Sequence, residues 1–271
     1  MKVKNILIFL VLSMSCKENN NEFYVFNPEE IEEKEISLSD IADDITYVQF
    51  DNSIPIDGTN PNFAPIYVNN KIYLFENETG ILTFRGDGKF LNKVGKYGRG
   101  PGEYIRGSEF TVDEKTGTLY VCDFGNIVKV FSVAGEFLRD FSLNKYGGSI
   151  DEIQFYNDCL FITYNLQYQY SKYDWILSDT LGKLLKKKDR SLPLFKSNYL
   201  AGGGIYIYNN NLVYWNQFLD TVYSINLDFS YRANFILSPG NYRLPKSYID
   251  NPLGKLTQYM TLEQIFETKC V

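Results

Sequence analysis

The 271 residues contain no histidine. That absence removes Ser-His-Asp and Cys-His nucleophilic catalysis, histidine general bases, and zinc or copper held by imidazole. Any chemistry would fall to carboxylates, Lys, Tyr, Arg or an oxygen-ligated metal. Long basic runs are missing as well. Lys and Arg number 27 against 33 Asp and Glu, a net charge of −6, and the sequence pI is about 4.9. Contact with phosphate backbones needs a basic face, so nucleic acid is not an expected partner. The one local cluster, Lys183, Lys186, Lys187 and Lys188, reads as the solvated end of a strand.

At the N-terminus, the apolar run from Ile6 to Leu12 is far shorter than the roughly 20 residues that span a bilayer. Lys2 and Lys4 precede it and Ser13-Met-Ser-Cys16 follows. This is signal-peptide layout over residues 1–15. The terminal cysteine resembles the bacterial lipoprotein signal, which implies cleavage before Cys16 and a lipid on it. An ordinary cleaved signal with an incidental cysteine is the alternative. Lys17-Glu-Asn-Asn20 resembles the tether that sends Bacteroidetes lipoproteins to the cell surface. Residues 16–40 are polar and acidic and read as a flexible, lipid-anchored tether, which leaves residues 41–271 for the folded domain. Cys122, Cys159 and Cys270 remain; their spacing fits no metal motif, and buried thiols are expected.

Aromatics make up 16% of the chain, with 22 Tyr and 20 Phe, and this favours strands. A repeat then organises the sequence. Lys71-Ile-Tyr-Leu-Phe-Glu76 aligns with Thr118-Leu-Tyr-Val-Cys-Asp123 at an offset of 47 residues. The same register carries Thr83-Phe84 onto Val130-Phe131, Gly88 onto Gly135 and Phe90-Leu91 onto Phe137-Leu138. Leu160 and Leu212 continue the Ile72 position in two degenerate copies. Asn69-Asn70, Thr116-Gly117, Asn157-Asp158 and Asn209-Asn210 supply the tight turns. The second unit should hold strands at about 109–113, 118–122, 127–132 and 136–142. Four-stranded units of about 40–50 residues mark β-propeller blades, so the fold class is all-β with four-stranded antiparallel blades.

The units resemble NHL-type repeats. From Ile41 onward the chain resembles the six-bladed β-propeller lipoproteins of Bacteroidetes. Leu38-Ser-Asp-Ile-Ala-Asp-Asp-Ile-Thr-Tyr-Val48, Gly98-Arg-Gly-Pro-Gly-Glu-Tyr104 and Ile265-Phe-Glu-Thr268 carry the resemblance. It implies a fold and an outer-membrane or cell-surface location. Four blades fit into residues 63–240, followed by a Pro-containing excursion to about Leu262. Relative to that family the chain reads as truncated, an open array of about four blades. Ile45–Phe50 stands where a closing strand would be, and unpaired edges are expected there and at Phe266–Val271.

In a propeller the loops after strand b and after strand d open on one face. Glu76, Asp123, Tyr164 and Asn216 occupy the first set of positions. Arg99, Glu103, Tyr104 and Arg106 occupy the second. Together they form the candidate ligand-binding rim. Glu76, Asp123 and Asn216 offer oxygens suited to Ca²⁺, as in the gluconolactonase-like propellers that the fold distantly resembles. Arg99 and Arg106 suit a carboxylated or sulfated ligand, and Tyr104 and Tyr164 suit a sugar ring. The bland reading has the acids capping turns and pairing with the next blade. Glycines 98, 100 and 102 read as backbone permission for a crossing, not a nucleotide loop, because Pro101 and a following strand preclude the required helix.

Three functions remain open. The first is a non-catalytic scaffold for a ligand or an envelope protein, without a cofactor. The second is a Ca²⁺-dependent hydrolase or lyase acting on a sugar derivative. The third is a non-functional fragment.

Overall fold

The computed structural model describes residues 24–27, 30, 35–56, 65–77, 79–165, 171–191, 203–216 and 219–238. The signal segment, Cys16, Cys270 and the Pro239–Val271 region, with its expected Ile265 blade start and Phe266–Val271 edge, lie outside them. The N-terminal part contributes β1 (Tyr24–Phe26) and a single helical turn, α1 (Leu38–Ile41), where Ser37 and Asp40 form a capping box.

Four antiparallel sheets follow in order, each read from the inner strand outward. Blade one holds β2 (Ile66–Val68), β3 (Lys71–Glu76), β4 (Gly80–Arg85) and β5 (Phe90–Val94). A crossing with β6 (Lys96–Tyr97) and β7 (Glu103–Tyr104) leads to blade two. That blade holds β8 (Phe110–Val112), β9 (Leu119–Asp123), β10 (Ile127–Phe131) and β11 (Phe137–Ser142). Blade three holds β12 (Ile150–Tyr156), β13 (Cys159–Tyr164), β14 (Tyr173–Ser178) and β15 (Leu184–Asp189). Blade four holds β16 (Gly203–Tyr208), β17 (Asn211–Asn216), β18 (Thr221–Ile225) and β19 (Tyr231–Leu237). The inner strands β2, β8, β12 and β16 neighbour one another in that order, as propeller blades do.

Local chemistry fixes the hairpins. Asn69-Asn70, Asn157-Asp158 and Asn209-Asn210 all take positive φ at both positions, between 48° and 61°. Two successive left-handed residues define the hairpin turn that matches strand twist, and Asn and Asp tolerate it best. The middle strands then bury both faces, as β13 does at every position. Successive blades pack face to face. Tyr73, Ile81, Leu119 and Phe131 fill the space between blades one and two. Val128, Leu160, Ile162 and Ile176 fill the next interface, and Phe161, Trp175, Leu212 and Tyr214 the third. Cys122 and Cys159 are buried free thiols within these layers.

The glycine of the repeat has a specific task. A Cβ on Gly135 would run into the Lys93 carbonyl of blade one, and one on Gly182 into the Phe141 ring of blade two. Each of these outer turns is pressed against the outer strand, or its end, in the preceding blade. On Gly88 the added Cβ would meet the Gln49 carbonyl. Residues 48–51 therefore occupy the outer-strand position of a preceding blade. Asp51 N–H donates to Gly88 O at 2.9 Å. Phe50 packs on Phe84, and Ile54 and Ile56 join Ile72 and Leu82 on the free face of blade one.

Three expectations are corrected here. Ile45–Phe50 forms no strand; it has no ladder partner among the described residues and Ile45, Tyr47 and Val48 are exposed, while Phe50, Ile54 and Ile56 cover part of blade one. Tyr24–Phe26, placed by sequence inside the tether, pairs in parallel with β19 as a fifth strand of blade four. The lysine cluster is not uniformly solvated. Lys188 Nζ lies 3.7 Å from Asp174 Oδ2 and 3.8 Å from the Tyr223 ring centre, and Lys186 donates to Phe229 O. Those two lysines join blade three to blade four.

Candidate functional site

The crossing from blade one to blade two is held by its own residues. β6 and β7 pair in parallel. Gly98 N–H donates to Tyr104 O at 3.0 Å, and Gly100 N–H donates to Glu103 Oε2 at 2.8 Å. Glu103 is thus the internal brace of the Gly98–Tyr104 loop. Tyr104 turns inward and is almost fully buried against Phe131. Its hydroxyl donates to Val94 O at 2.7 Å and accepts from Ile81 N at 2.8 Å. Burial raises its pKa to about 12, against the opposing Ile81 hydrogen bond. This ring fastens blade one to the crossing and has no face left for a sugar.

Asp123 ends β9 and fixes the other end of the crossing. Its Oδ1 accepts from Ile105 N and Arg106 N, both at 3.1 Å, and from Phe124 N at 2.8 Å. Its Oδ2 lies 3.5 Å from Lys129 Nζ, with both side chains about one-tenth exposed. The turn-capping geometry weighed from the sequence is what this carboxylate adopts. Glu76 and Asn216 end β3 and β17 and are buried. Tyr164 ends β13; its hydroxyl is buried and finds no hydrogen-bond partner among the described residues, and burial raises its pKa. Arg99 and Arg106 are exposed.

Of the expected rim, the structure gathers Arg106 and Asp123 around one cleft of about 230 Å³ on the upper face of blades two and three. The lining adds Glu109, Phe124, Asn126 and Asn144, none of them singled out from sequence. Asn126 binds the cleft walls together. Its Nδ2 donates to Gly148 O at 2.8 Å, and its Oδ1 accepts from Ile150 N at 3.2 Å. Phe124 stands at the tip of the β9–β10 loop with 72% of its surface exposed.

Three carboxylates interact at the inner ends of these blades. Burial raises the Glu109 pKa, with Arg106 opposing. Burial pushes Asp151 up to about 6, again against Arg106. Glu152 rises to about 8, through burial first and then the charges of Asp151 and Glu109. Its Oε2 accepts from Ile205 N of blade four at 3.2 Å. Near neutral pH Glu152 therefore favours its protonated form beside Asp151, Glu109 and the Arg106 guanidinium, and the group can offer both donors and acceptors to a polar ligand. A sequence signal for it existed. Cys122 and Thr163 match in the repeat; Cys122 N–H donates to the Glu109 carbonyl just before β8, and Glu152 N–H on β12 donates to Thr163 Oγ1. Among the described residues no group of three or more His, Cys, Asp or Glu side chains is arranged to hold a metal ion.

Packed four-stranded blades with a polar mouth define a β-propeller. The chain belongs to the family described as Domain of unknown function (DUF4934), which matches residues 22–271. A crystal structure of a Bacteroides fragilis protein described as exported is similar at 20% identity and a TM-score of 0.61. It covers 82% of this chain and 62% of its own, so the chain spans about three fifths of that relative's length. A streptogramin B lyase is similar at 16% identity and a TM-score of 0.43, over 65% of this chain and 55% of its own. BamB from Moraxella catarrhalis follows at 10% identity and a TM-score of 0.37, over 63% and 42%. These likenesses concern the fold. No curated protein matches the chain.

Proposed function

We propose that this protein is exported to the cell envelope, anchored through a lipid on Cys16, and uses the upper face of its propeller to bind a ligand or an envelope protein without catalysis. The propeller is read as NHL-type and six-bladed in its family. The observation that carries the binding reading is the upper cleft. An exposed aromatic, Phe124, stands beside Arg106 and Glu109 at a polar recess between two rigid blades. Large exposed aromatics next to a charged recess are a common basis for recognition. The signal-like N-terminus and the exported Bacteroides relative support an envelope location. The non-catalytic reading draws support from the carboxylates: Asp123 and Glu103, which sequence placed at the rim, accept backbone N–H groups. A fold alone names no chemistry.

Metal analysis and Ca²⁺ titration of the purified chain separate this reading from a Ca²⁺-dependent hydrolase. The scaffold reading expects no stoichiometric metal and no rise of Tm in millimolar Ca²⁺. A bound metal, with a rise that Glu76→Ala combined with Asp123→Ala removes, would favour the hydrolase.

A further inference from the structure

The N-terminal strand carries a consequence for how the molecule sits on its membrane. Without β1, the tether would run free from Cys16 to Ile41, and 25 residues of extended chain reach roughly 85 Å. Any face of the propeller could then meet the bilayer. β1 changes that. Tyr24, Val25 and Phe26 pair with Phe235, Ile236 and Leu237, and Ser238 N–H donates to Phe26 O at 2.7 Å. The chain is fastened to the outer edge of blade four from Tyr24 onward, and only seven residues separate Tyr24 from Cys16. The eight chain steps from Cys16 to Tyr24 reach at most about 28 Å.

We propose that β1 is a clip that holds the outer edge of blade four against the bilayer bearing the anchor, so that the propeller stands on this edge. This rests on lipidation of Cys16. The surface of that edge suits the place. Val25 on β1, Leu227 in the turn before β19 and Tyr231 on β19 are each about half exposed, and Arg232 beside Tyr231 is exposed too. Apolar and tyrosyl surface next to a cation fits the zone of lipid headgroups. The cleft lined by Arg106 and Phe124 belongs to blades two and three, and this arrangement leaves it open to a partner that approaches from outside the membrane.

The test uses the full-length lipidated protein in phosphatidylcholine liposomes that carry a headgroup nitroxide. Cys122 and Cys159 are buried, so in a Cys270→Ser background a fluorophore can be placed at Asn234→Cys on β19 or at Asp140→Cys on β11, both exposed positions. Quenching at position 234 should exceed that at 140 several-fold. Replacing Tyr24–Phe26 by Gly-Ser-Gly should abolish the difference while the four antiparallel strands of blade four keep the fold. Inserting about 20 Gly and Ser residues after Asn20 should weaken it too, because the added chain extends the reach by roughly 25 Å. Mass spectrometry of the N-terminal peptide from the same sample reads the anchor. Equal quenching at both positions with a lipidated Cys16 overturns the clip alone. An unmodified Cys16 overturns the anchor, and the clip's membrane role with it.

Discussion

The carboxylate of Glu152 accepts a hydrogen bond from the backbone N–H of Ile205 at 3.2 Å, and this contact joins the inner strand of blade three to that of blade four. The acid lies beside Asp151 and Glu109, and its pKa stands at about 8 against an ordinary 4.5. The unfolded chain releases this proton near pH 4.5, whereas the folded state keeps it to about pH 8. Across that window the folded state binds more protons. Stability should fall as pH rises from about 4.5 to 8, with Asp151 adding to the fall between 3.8 and about 6. Glu152→Gln keeps an acceptor for Ile205 and carries no charge. It should flatten the upper part of this slope and raise Tm at pH 8. Urea melts at unit pH steps check both statements.

Tyr104→Phe should cost about 1–3 kcal/mol, because it leaves the buried Ile81 N–H without an acceptor while it preserves the ring packing on Phe131. Denaturant midpoints of the two proteins measure the loss. Hydrogen exchange should quicken first at Ile81 and Gly95, where blade one meets the crossing.

Asp123→Ala removes the acceptor of three backbone N–H groups and strands a nearly buried Lys129. A loss of about 3–5 kcal/mol is expected, in line with breaking a buried pair from one side. The double variant Asp123→Asn with Lys129→Met should recover much of it, since the amide oxygen still accepts from Ile105 and Arg106 and no unpaired charge remains. Equilibrium unfolding of the single and double variants decides the point.

The blades were legible because their signals are local and repeated. Ile72, Leu119, Leu160 and Leu212 mark the second strand of every blade; Asn and Asp pairs define the hairpins before three of them, and Thr116-Gly117 supplies the turn before Leu119. The Gly88 to Gly135 match proved informative for a reason that sequence alone does not state. The position is where an outer turn touches the neighbouring outer strand, and at Gly88 that neighbour is the Gln49 segment. The same relationship explains the misreading of Ile45–Phe50. The segment lies beside blade one as expected, yet its contacts are a turn hydrogen bond and side-chain packing, not a strand ladder. β1 escaped notice because three residues carry no period, and its partner β19 lies about 210 residues away. The site was legible in part. Arg106 and Asp123, expected on one face, do line one cleft, whereas Glu109 and Glu152 were not singled out because their places beside Cys122 and Thr163 show only once the inner strands are aligned.

The central claim is that the cleft beside Phe124 is where the propeller meets its partner, and photo-cross-linking in living cells tests it most directly. A benzophenone amino acid replaces Phe124 on the upper face in one strain and Leu181 on the lower face in another; both positions are well exposed. The account predicts a discrete cross-linked species from position 124 that Arg106→Ala weakens and that position 181 does not give. Equal adducts from both positions, or adducts from 181 alone, would contradict it.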